Sequence, residues 1–372
     1  MHNSKKKHFT LAVAGAAITV VVAGCSIFSN QPAPTSSPTA GPTASTNVST
    51  ETATPSPTSQ LVKSVVLVAQ LGDPKESTAA GLAWKGVQAA ASKVDATSTV
   101  VEPASSTDLP KALEQAAGSD GAVVITVGPD ADPAVLTAAK AHPAAQFLEL
   151  DVAVADTAPT NVHGLVFDEA EAGYLAGYVA AAFAGSGRVG MVGDTTTDVR
   201  SANYAAGMAA GASEFGSGSI VTIAYAGTPS APDKGRTAAA GLVTAGNTVI
   251  VAMPSLSGIG AMRQACGTKA RLVAVDTDAT KIVPDVQQCV IVSVLKRFDV
   301  AVSIAIASIA AGKTLPRLSM NDVAGGGVAL SDFHADLPSG FQAKLDAVMV
   351  TLSQRPTPSA AVEAAPSPSP SA

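Results

Sequence analysis

Three short stretches carry residue types at spacings that known chemistries use. GSGRVG, residues 185–190, has the Gly-x-Gly-x-x-Gly spacing that cradles a pyrophosphate in dinucleotide-binding enzymes. SVLK, residues 293–296, has the Ser-x-x-Lys of penicillin-recognising enzymes, where the serine is the nucleophile. GKT, residues 312–314, has the tail of a phosphate-binding Walker loop. The five histidines are scattered, two of them within the first eight residues, and show no metal-ligand spacing.

Each chemistry needs a particular setting. A phosphate-binding glycine loop follows a strand and opens a helix, because the helix N-terminus supplies N–H donors and positive dipole. GSGRVG does the reverse: it ends the helical run YLAGYVAAAFAG and leads into the apolar run VGMVGD. Gly185 and Gly187 therefore read as helix-terminating residues. SVLK lies inside a strand-like run, and the chain holds neither a Ser-Asp-Asn nor a Lys-Thr-Gly partner. GKT lacks the leading glycine, with Ala307 in its place, and follows a helix. No catalytic constellation remains, so the chain reads as a binding protein with no cofactor and no metal.

The elements around these stretches alternate. Short runs rich in Val and Ile, such as VKSVVLVA, GAVVITVG and QFLELDVA, are separated by Ala-rich helical runs such as AGLAWKGVQAAASKV and DPAVLTAAKAHP. Continuous apolar strands suit a parallel sheet covered on both faces. After NVHGLVF the pattern restarts and repeats through RVGMVGD, SIVTIAYAG, NTVIVAMP and RLVAVDTD. The expected architecture is α/β, with two doubly wound, Rossmann-like halves in series. CVIVSVLKRFDVAVSIAIASIAAGK adds a strand and a helix, and that helix is expected to return to the first lobe as part of a multi-crossing hinge. In open α/β sheets ligands bind beyond the carboxyl ends of the strands. Residues expected there are Asp73, Gly128, Ser257, Asp276 and Asp278, whose carboxylates suit a hydroxyl-rich ligand. The alternative for any such Asp is a helix cap.

The ends of the chain have a different character. MHNSKKKH is cationic, and the apolar run over residues 11–24 is too short, at about 1.5 Å per residue, to cross a hydrocarbon core of about 30 Å. A secretory signal over residues 1–24 is expected. Residues 25–60 and 355–372 are dense in Ser, Thr, Pro and Ala and short of large apolar groups, the composition of a disordered tether and tail. With the signal removed and Cys25 at the start of the tether, Cys266 and Cys289 remain; an even remainder in an exported chain points to one disulfide, the alternative being two buried thiols. The formal net charge of −6, with both signs interspersed, argues against nucleic acid as a partner.

VAGC, residues 22–25, resembles the lipobox of bacterial lipoproteins, which implies lipidation of Cys25 and anchoring on the outer face of the cell membrane. The run FDEAEAGYLAGYVAAAFAGSGRVGMVGD, followed by NYAAGMAAGA, APDKGRTAA, VAVDTD, SVLKRFDVAV and AGGGVAL, resembles the basic membrane protein family. That family comprises lipid-anchored substrate-binding components of ABC importers whose characterised members bind purine nucleosides. The resemblance implies a type I periplasmic-binding-protein fold, with lobes formed by residues 61–166 with about 296–320, and 167–295 with about 321–354, closing on a nucleoside-like ligand. It implies an ABC permease as partner, and the protein is expected to act as a monomer. It gives Asp276 and Lys296 the positions that face the ribose hydroxyls, with Asp73 standing for the Asp of the family's Asp-Lys-Ser-Phe-Asn stretch. The Phe and Asn of that stretch are absent from LGDPKESTAAGLAW, and Trp84 falls within a helical run where core packing is its ordinary role. A ligand-sensing or scaffold lipoprotein that serves no transporter is the competing expectation.

Overall fold

A computed structural model of the chain describes residues 61–69 and 78–355. The signal segment, Cys25, Asp73, and the tether and tail as far as residues 60 and from 356 lie outside the described residues. The first half runs β1 (Ser64–Val68), α1 (Ala79–Lys93), β2 (Thr97–Val101), α2 (Leu109–Ala117), β3 (Ala122–Val127), α3 (Asp132–Ala141), β4 (Gln146–Leu150) and β5 (Val162–Phe167). The second half runs α4 (Glu169–Ala184), β6 (Arg188–Gly193), α5 (Val199–Phe215), β7 (Ile220–Tyr225), α6 (Pro232–Thr244), β8 (Asn247–Ala252), α7 (Leu256–Cys266) and β9 (Arg271–Asp276). A single-turn helix α8 (Ala279–Ile282) leads to β10 (Val290–Lys296). The closing elements are α9 (Phe298–Ala310), β11 (Leu318–Asn321), β12 (Val328–Leu330) and α10 (Phe341–Ser353).

Two six-stranded sheets result, in the orders β11-β5-β4-β3-β1-β2 and β12-β10-β9-β8-β6-β7. Among the described residues only β12 runs antiparallel, against β10. Both faces of each sheet are covered, which is why the central strands read as unbroken apolar runs. Val66, Val124 and Phe147 pack under α2 and α3, while Leu67, Ile125 and Leu148 face Val87 of α1 and Val302 of α9. Met191, Val251 and Val273 pack under α4, α5 and α10, and Val192, Ile250 and Leu272 under α6 and α7. The chain passes between the sheets three times: from β5 into α4, from β10 into α9, and through residues 322–327 between β11 and β12. The late helix α9 thus returns to α1 on the first sheet.

Some sequence expectations needed adjustment. β12 lies within the glycine-rich AGGGVAL and β11 has no counterpart among the expected strands, because edge strands of three and four residues carry too few residues to show a period. Helix α7 starts at Leu256, earlier than the run GIGAMRQACG, because the Ser255 hydroxyl caps it by accepting from the Gly258 N–H at 2.9 Å. Cys266 and Cys289 are joined as a disulfide, their Cα atoms 5.6 Å apart, tying the end of α7 to the start of β10. SVLK lies on β10 itself, and Gly185 closes α4 at φ 59°.

The interface of α4 with α5 is set by glycines. A Cβ added at Gly207 would lie 1.9 Å from the Ala170 carbonyl, and one at Gly173 would lie 2.4 Å from the Tyr204 carbonyl. The backbones touch, so the first turns of the two helices are held side by side at the carboxyl end of the second sheet.

One core residue breaks the apolar pattern. Glu149 on β4 is fully buried beside Thr126, its register partner on β3, and neither side chain finds a hydrogen bond of ordinary geometry. Burial, reinforced by the like charge of Asp132 at the start of α3, pushes its carboxyl up to about 8 from an ordinary 4.5. The unfolded chain releases this proton near pH 4.5 and the folded chain holds it to about pH 8. Between those values the folded state binds the extra proton, so Glu149 makes stability fall as pH rises through that window, by up to about 1.4 kcal/mol per pH unit. Glu149→Gln removes the titration and keeps the shape. Its melting temperature should exceed that of the unaltered protein at pH 8 by several degrees, and the difference should vanish near pH 4.5, read by calorimetric melts across pH.

Candidate functional site

Beyond the carboxyl ends of both sheets lies Lys296, the last residue of β10. It is fully buried, which a lysine tolerates only when its charge is matched. Its ammonium donates to Asp151 Oδ1 at 2.8 Å and to Glu169 Oε1 at 3.0 Å, and stands 3.8 Å from Asp276 Oδ1. The aliphatic stem runs between aromatic rings, with the nitrogen 5.7 Å from the centre of Phe167 and 5.9 Å from that of Tyr204. Asp151 follows β4 of the first sheet, Glu169 opens α4, and Asp276 ends β9 beside β10. One cation therefore gathers carboxylates from both sheets and from the helix that links them.

The two aspartates are held by unusual backbone. Asp151 has φ 62° and Asp276 φ 70°, in the left-handed region that Asp enters more readily than bulkier residues. Such conformations persist only where the surroundings impose them, and they gather at functional sites. Asp151 is anchored by its N–H, which donates to the Leu165 carbonyl at 2.9 Å. Asp276 is anchored by its side chain, whose Oδ1 accepts from the buried Tyr204 hydroxyl of α5.

Burial and charge oppose one another here. Burial alone would push the Lys296 ammonium down, but attraction from Asp276, Asp151 and Glu169 outweighs it and holds the group above its ordinary value. Burial pushes Asp276 and Glu169 up, and Lys296 pulls both back down. The cation gains from three partners while each acid also feels its like-charged neighbours, so the cation is firmly charged and these two acids are pushed toward protonation. A second cation, Arg200 in the first turn of α5, lies 3.6 Å from Asp151 Oδ2 and 3.5 Å from Asp198 Oδ1, with its side chain 45% exposed. It sits at the rim, and screening makes its pairs weak.

The ammonium bonds one oxygen of Asp151 and one of Glu169 and faces Asp276 Oδ1, which the Tyr204 hydroxyl holds. Asp276 Oδ2 and Glu169 Oε2 have no hydrogen-bond partner among the described residues, and Asp151 Oδ2 has only the distant Arg200. The side chains of Asp151, Glu169 and Asp276 are 13%, 12% and 10% exposed, so part of each reaches accessible space. Ionised carboxylate oxygens are acceptors only, and an array of them suits a ligand that presents several O–H or N–H donors. Among the described residues no group of three or more His, Cys, Asp or Glu is placed to hold a metal ion.

The structure sorts the sequence candidates. Asp276 and Lys296 come together as adjacent strand ends, yet Lys296 faces carboxylates rather than open space. Gly128 follows β3 at φ 83° and donates its N–H to Leu150, one residue from Asp151, so it braces the loop at the site's edge. Asp278 caps α8, accepting from the Thr280 N–H at 3.1 Å and hydroxyl at 2.7 Å, with Lys281 at 3.1 Å; the cap reading holds for it. Ser257 is buried in α7, its hydroxyl bonding the Thr228 carbonyl at 2.6 Å and the Ala231 backbone, so it clamps α7 to the loop before α6. Asp73 lies outside the described residues. Trp84 packs against the first-sheet core. Sequence reasoning missed Asp151, Glu169, Arg200 and Tyr204. The strand-end rule that singled out Asp276 applies equally to the Asp of QFLELD, and would have found Asp151.

Comparison with known proteins bears on the family and the fold. The profile of the Bmp family, described as ABC transporter substrate-binding protein PnrA-like, matches residues 63–339. The chain is similar to the ABC transporter nucleoside-binding protein BmpA of Lactococcus lactis subsp. cremoris, 32% identical over 139 residues, 37% of this chain and 39% of the relative. Basic membrane protein D of Borreliella burgdorferi is 32% identical over 143 residues, 38% of this chain and 41% of that protein. The matched stretch spans about two-fifths of the length of these curated relatives. Among solved structures, an ABC transporter solute-binding protein from Conexibacter woesei superposes with a TM-score of 0.63 at 22% identity, covering 80% of this chain and 99% of that one. One from Aeropyrum pernix K1 superposes with a TM-score of 0.58 at 22% identity, covering 80% and 83%. At that identity the likeness fixes the fold alone: two parallel-sheet lobes of the type I periplasmic-binding kind.

The charge balance at Lys296 generates a stability prediction. Lys296→Met keeps the stem and removes the cation, leaving three carboxylates facing one another. Breaking a buried pair from one side costs about 3–5 kcal/mol. At pH 7.5 the melting temperature should fall by on the order of ten degrees. Part of that loss should return as the pH is lowered, because burial already pushes the Asp276 and Glu169 carboxyls toward protonation. A variant that melts like the unaltered protein would remove Lys296 from the centre of the cluster.

Proposed function

The chain belongs to the Bmp family of PnrA-like ABC transporter substrate-binding proteins, and from that premise we propose that it closes its two lobes on a nucleoside held by its ribose. The observation that carries the reading is the ring of carboxylates around Lys296, contributed by β4 of one sheet and by α4 and β9 on the other side. Each acid keeps one oxygen without a hydrogen-bond partner among the described residues, and each side chain is partly exposed. A ribose brings two neighbouring hydroxyl donors, which match outward-facing acceptors in pairs. A phosphorylated ligand would place its own negative charge among three carboxylates that, among the described residues, Lys296 and the exposed Arg200 balance. Like-charge repulsion therefore favours the uncharged nucleoside over its nucleotide.

A ligand bridging Asp151 and Asp276 would touch both sides of the cleft at once, which is how binding favours the closed state: it interacts better with that state than with the open one. The lipobox-like VAGC and the Ser/Thr/Pro segment behind it support a Cys25 lipid anchor outside the membrane, with a tethered monomer delivering solute to an ABC permease.

A thermal-shift panel of purine and pyrimidine nucleosides, free bases, ribose, other sugars and nucleotides tests the reading. At a hundredfold excess over its dissociation constant a ligand adds about 2.7 kcal/mol of stability, so a nucleoside should raise the melting temperature by several degrees and its 5′-monophosphate should not. Asp276→Ala should abolish the nucleoside shift. A panel in which a sugar or another solute gives the shift and nucleosides give none would overturn the nucleoside assignment.

A further inference from the structure

We propose that Tyr204 is a positioning residue of the ligand site: its hydroxyl fixes the Asp276 carboxylate so that a single oxygen, Oδ2, is left for a single ligand hydroxyl. The proposal rests on the reading of a hydroxyl-bearing ligand, and adds how that ligand's hydroxyls are divided. Tyr204 lies one turn beyond Arg200 on α5 and is 1% exposed, too buried to touch a ligand with its ring face in this state. Its hydroxyl donates to Asp276 Oδ1, and the same oxygen faces the Lys296 ammonium at 3.8 Å. Both neighbours act on one oxygen, and Oδ2 has none among the described residues.

The geometry around the phenol is rigid. Gly173 of α4 lets the Tyr204 backbone approach so closely that a Cβ there would lie 2.4 Å from the Tyr204 carbonyl. The acceptor is equally fixed, because Asp276 sits at a strand end with φ 70°. A donor and an acceptor each held by backbone leave the carboxylate little freedom to rotate and offer both oxygens outward. Burial, with the nearby Asp276 charge, raises the phenol well above its ordinary value, so it remains a donor wherever the protein is folded.

This arrangement sets a rule for the ligand. A carboxylate with two open oxygens can grip a vicinal diol alone. Asp276 cannot, so the two hydroxyls must go to different carboxylates, one to Asp276 and the other to Asp151 or Glu169. Removing either hydroxyl then removes one contact and leaves the other. Loss of the Tyr204 hydroxyl would also withdraw a donor from the ionised acid, so Asp276 would take up its proton at a higher pH.

The test compares the unaltered protein with Tyr204→Phe, Asp276→Asn and the double variant, by calorimetric titration with a ribonucleoside and with its 2′,3′-dideoxy analogue. Tyr204→Phe should weaken ribonucleoside binding roughly ten- to a hundredfold, the range of one hydrogen bond to a charged group. Affinity for the dideoxy analogue, which has no hydroxyl to place there, should be unchanged. Because Tyr204 acts through Asp276, its removal should have little further effect in the Asp276→Asn background. As pH falls, affinity should be lost at a higher pH in Tyr204→Phe than in the unaltered protein. Equal weakening of both ligands, or losses that add, would show a structural role only and overturn the proposal. Carbon-detected NMR titration of the aspartate carboxyls in ligand-free protein gives an arm that needs no ligand. There the Asp276 signal should titrate at a higher pH in Tyr204→Phe, and an unmoved signal would sink the idea even if the nucleoside reading stands. If no nucleoside binds the unaltered protein but the Asp276 signal moves, the positioning role survives and the nucleoside assignment fails. Should Tyr204→Phe not fold, Asp276→Asn alone decides: it should weaken the ribonucleoside and spare the dideoxy analogue, and equal weakening of both would overturn the single-acceptor role.

Discussion

A buried ammonium cannot stand alone. Moving one unmatched charge out of water costs far more than the net stability of a domain, so full burial of Lys296 dictates what must surround it. Three acids answer that demand, from the end of β4, the start of α4 and the end of β9. Those elements belong to different sheets, so the demand can be met only where the sheets present their carboxyl ends to each other. The charge cluster thus couples lobe arrangement to local chemistry, and the remaining features of the site follow from keeping it in register.

The supports are mostly backbone. The glycines of α4 and α5 bring two helix axes close enough for Glu169 and Tyr204 to reach the same cluster from neighbouring helices. Left-handed conformations at Asp151 and Asp276 turn two strand ends inward. The crossing through residues 322–327 is tied by Glu171 of α4, whose Oε2 accepts from the Val323 N–H at 2.6 Å. Each device costs conformational freedom or strain locally, and each is offset by packing in the apolar layers beneath. The site is precise because it stands on elements whose own positions are fixed.

Much of this was legible in the sequence. Alternating Val/Ile runs and Ala-rich runs specify covered parallel sheets, because period and hydrophobicity are local properties. The setting of GSGRVG argued against a phosphate-binding loop there for the same reason: a helix end and a strand start are readable within a dozen residues. Asp276 and Lys296 came from family resemblance together with the strand-end rule. What could not be read was the partner set. Asp151 and Lys296 are 145 positions apart and meet only through the three crossings. Asp278 and Ser257 looked like ligand residues because side-chain type at a strand end does not reveal direction; the structure turns one to a cap and the other to a backbone clamp. Glu149 is one polar residue in the apolar run QFLELDVA, and only burial on both sides shows it to be an uncompensated acid.

The placement of charge also explains how a rigid cluster can still serve binding. If every carboxylate oxygen were occupied, the cluster would be structural and a ligand would have to break it. If none were, the acids would repel and the strand ends would splay. Lys296 resolves the conflict by bonding one oxygen of Asp151 and one of Glu169 and facing one of Asp276, which neutralises part of the charge and leaves an oxygen of each acid without a hydrogen-bond partner among the described residues. A ligand that settles on such a cluster must bring donors at matching separations, or it leaves a desolvated acceptor unpaired. Under the nucleoside reading, discrimination comes from the penalty for a missing hydroxyl rather than from the strength of any one contact.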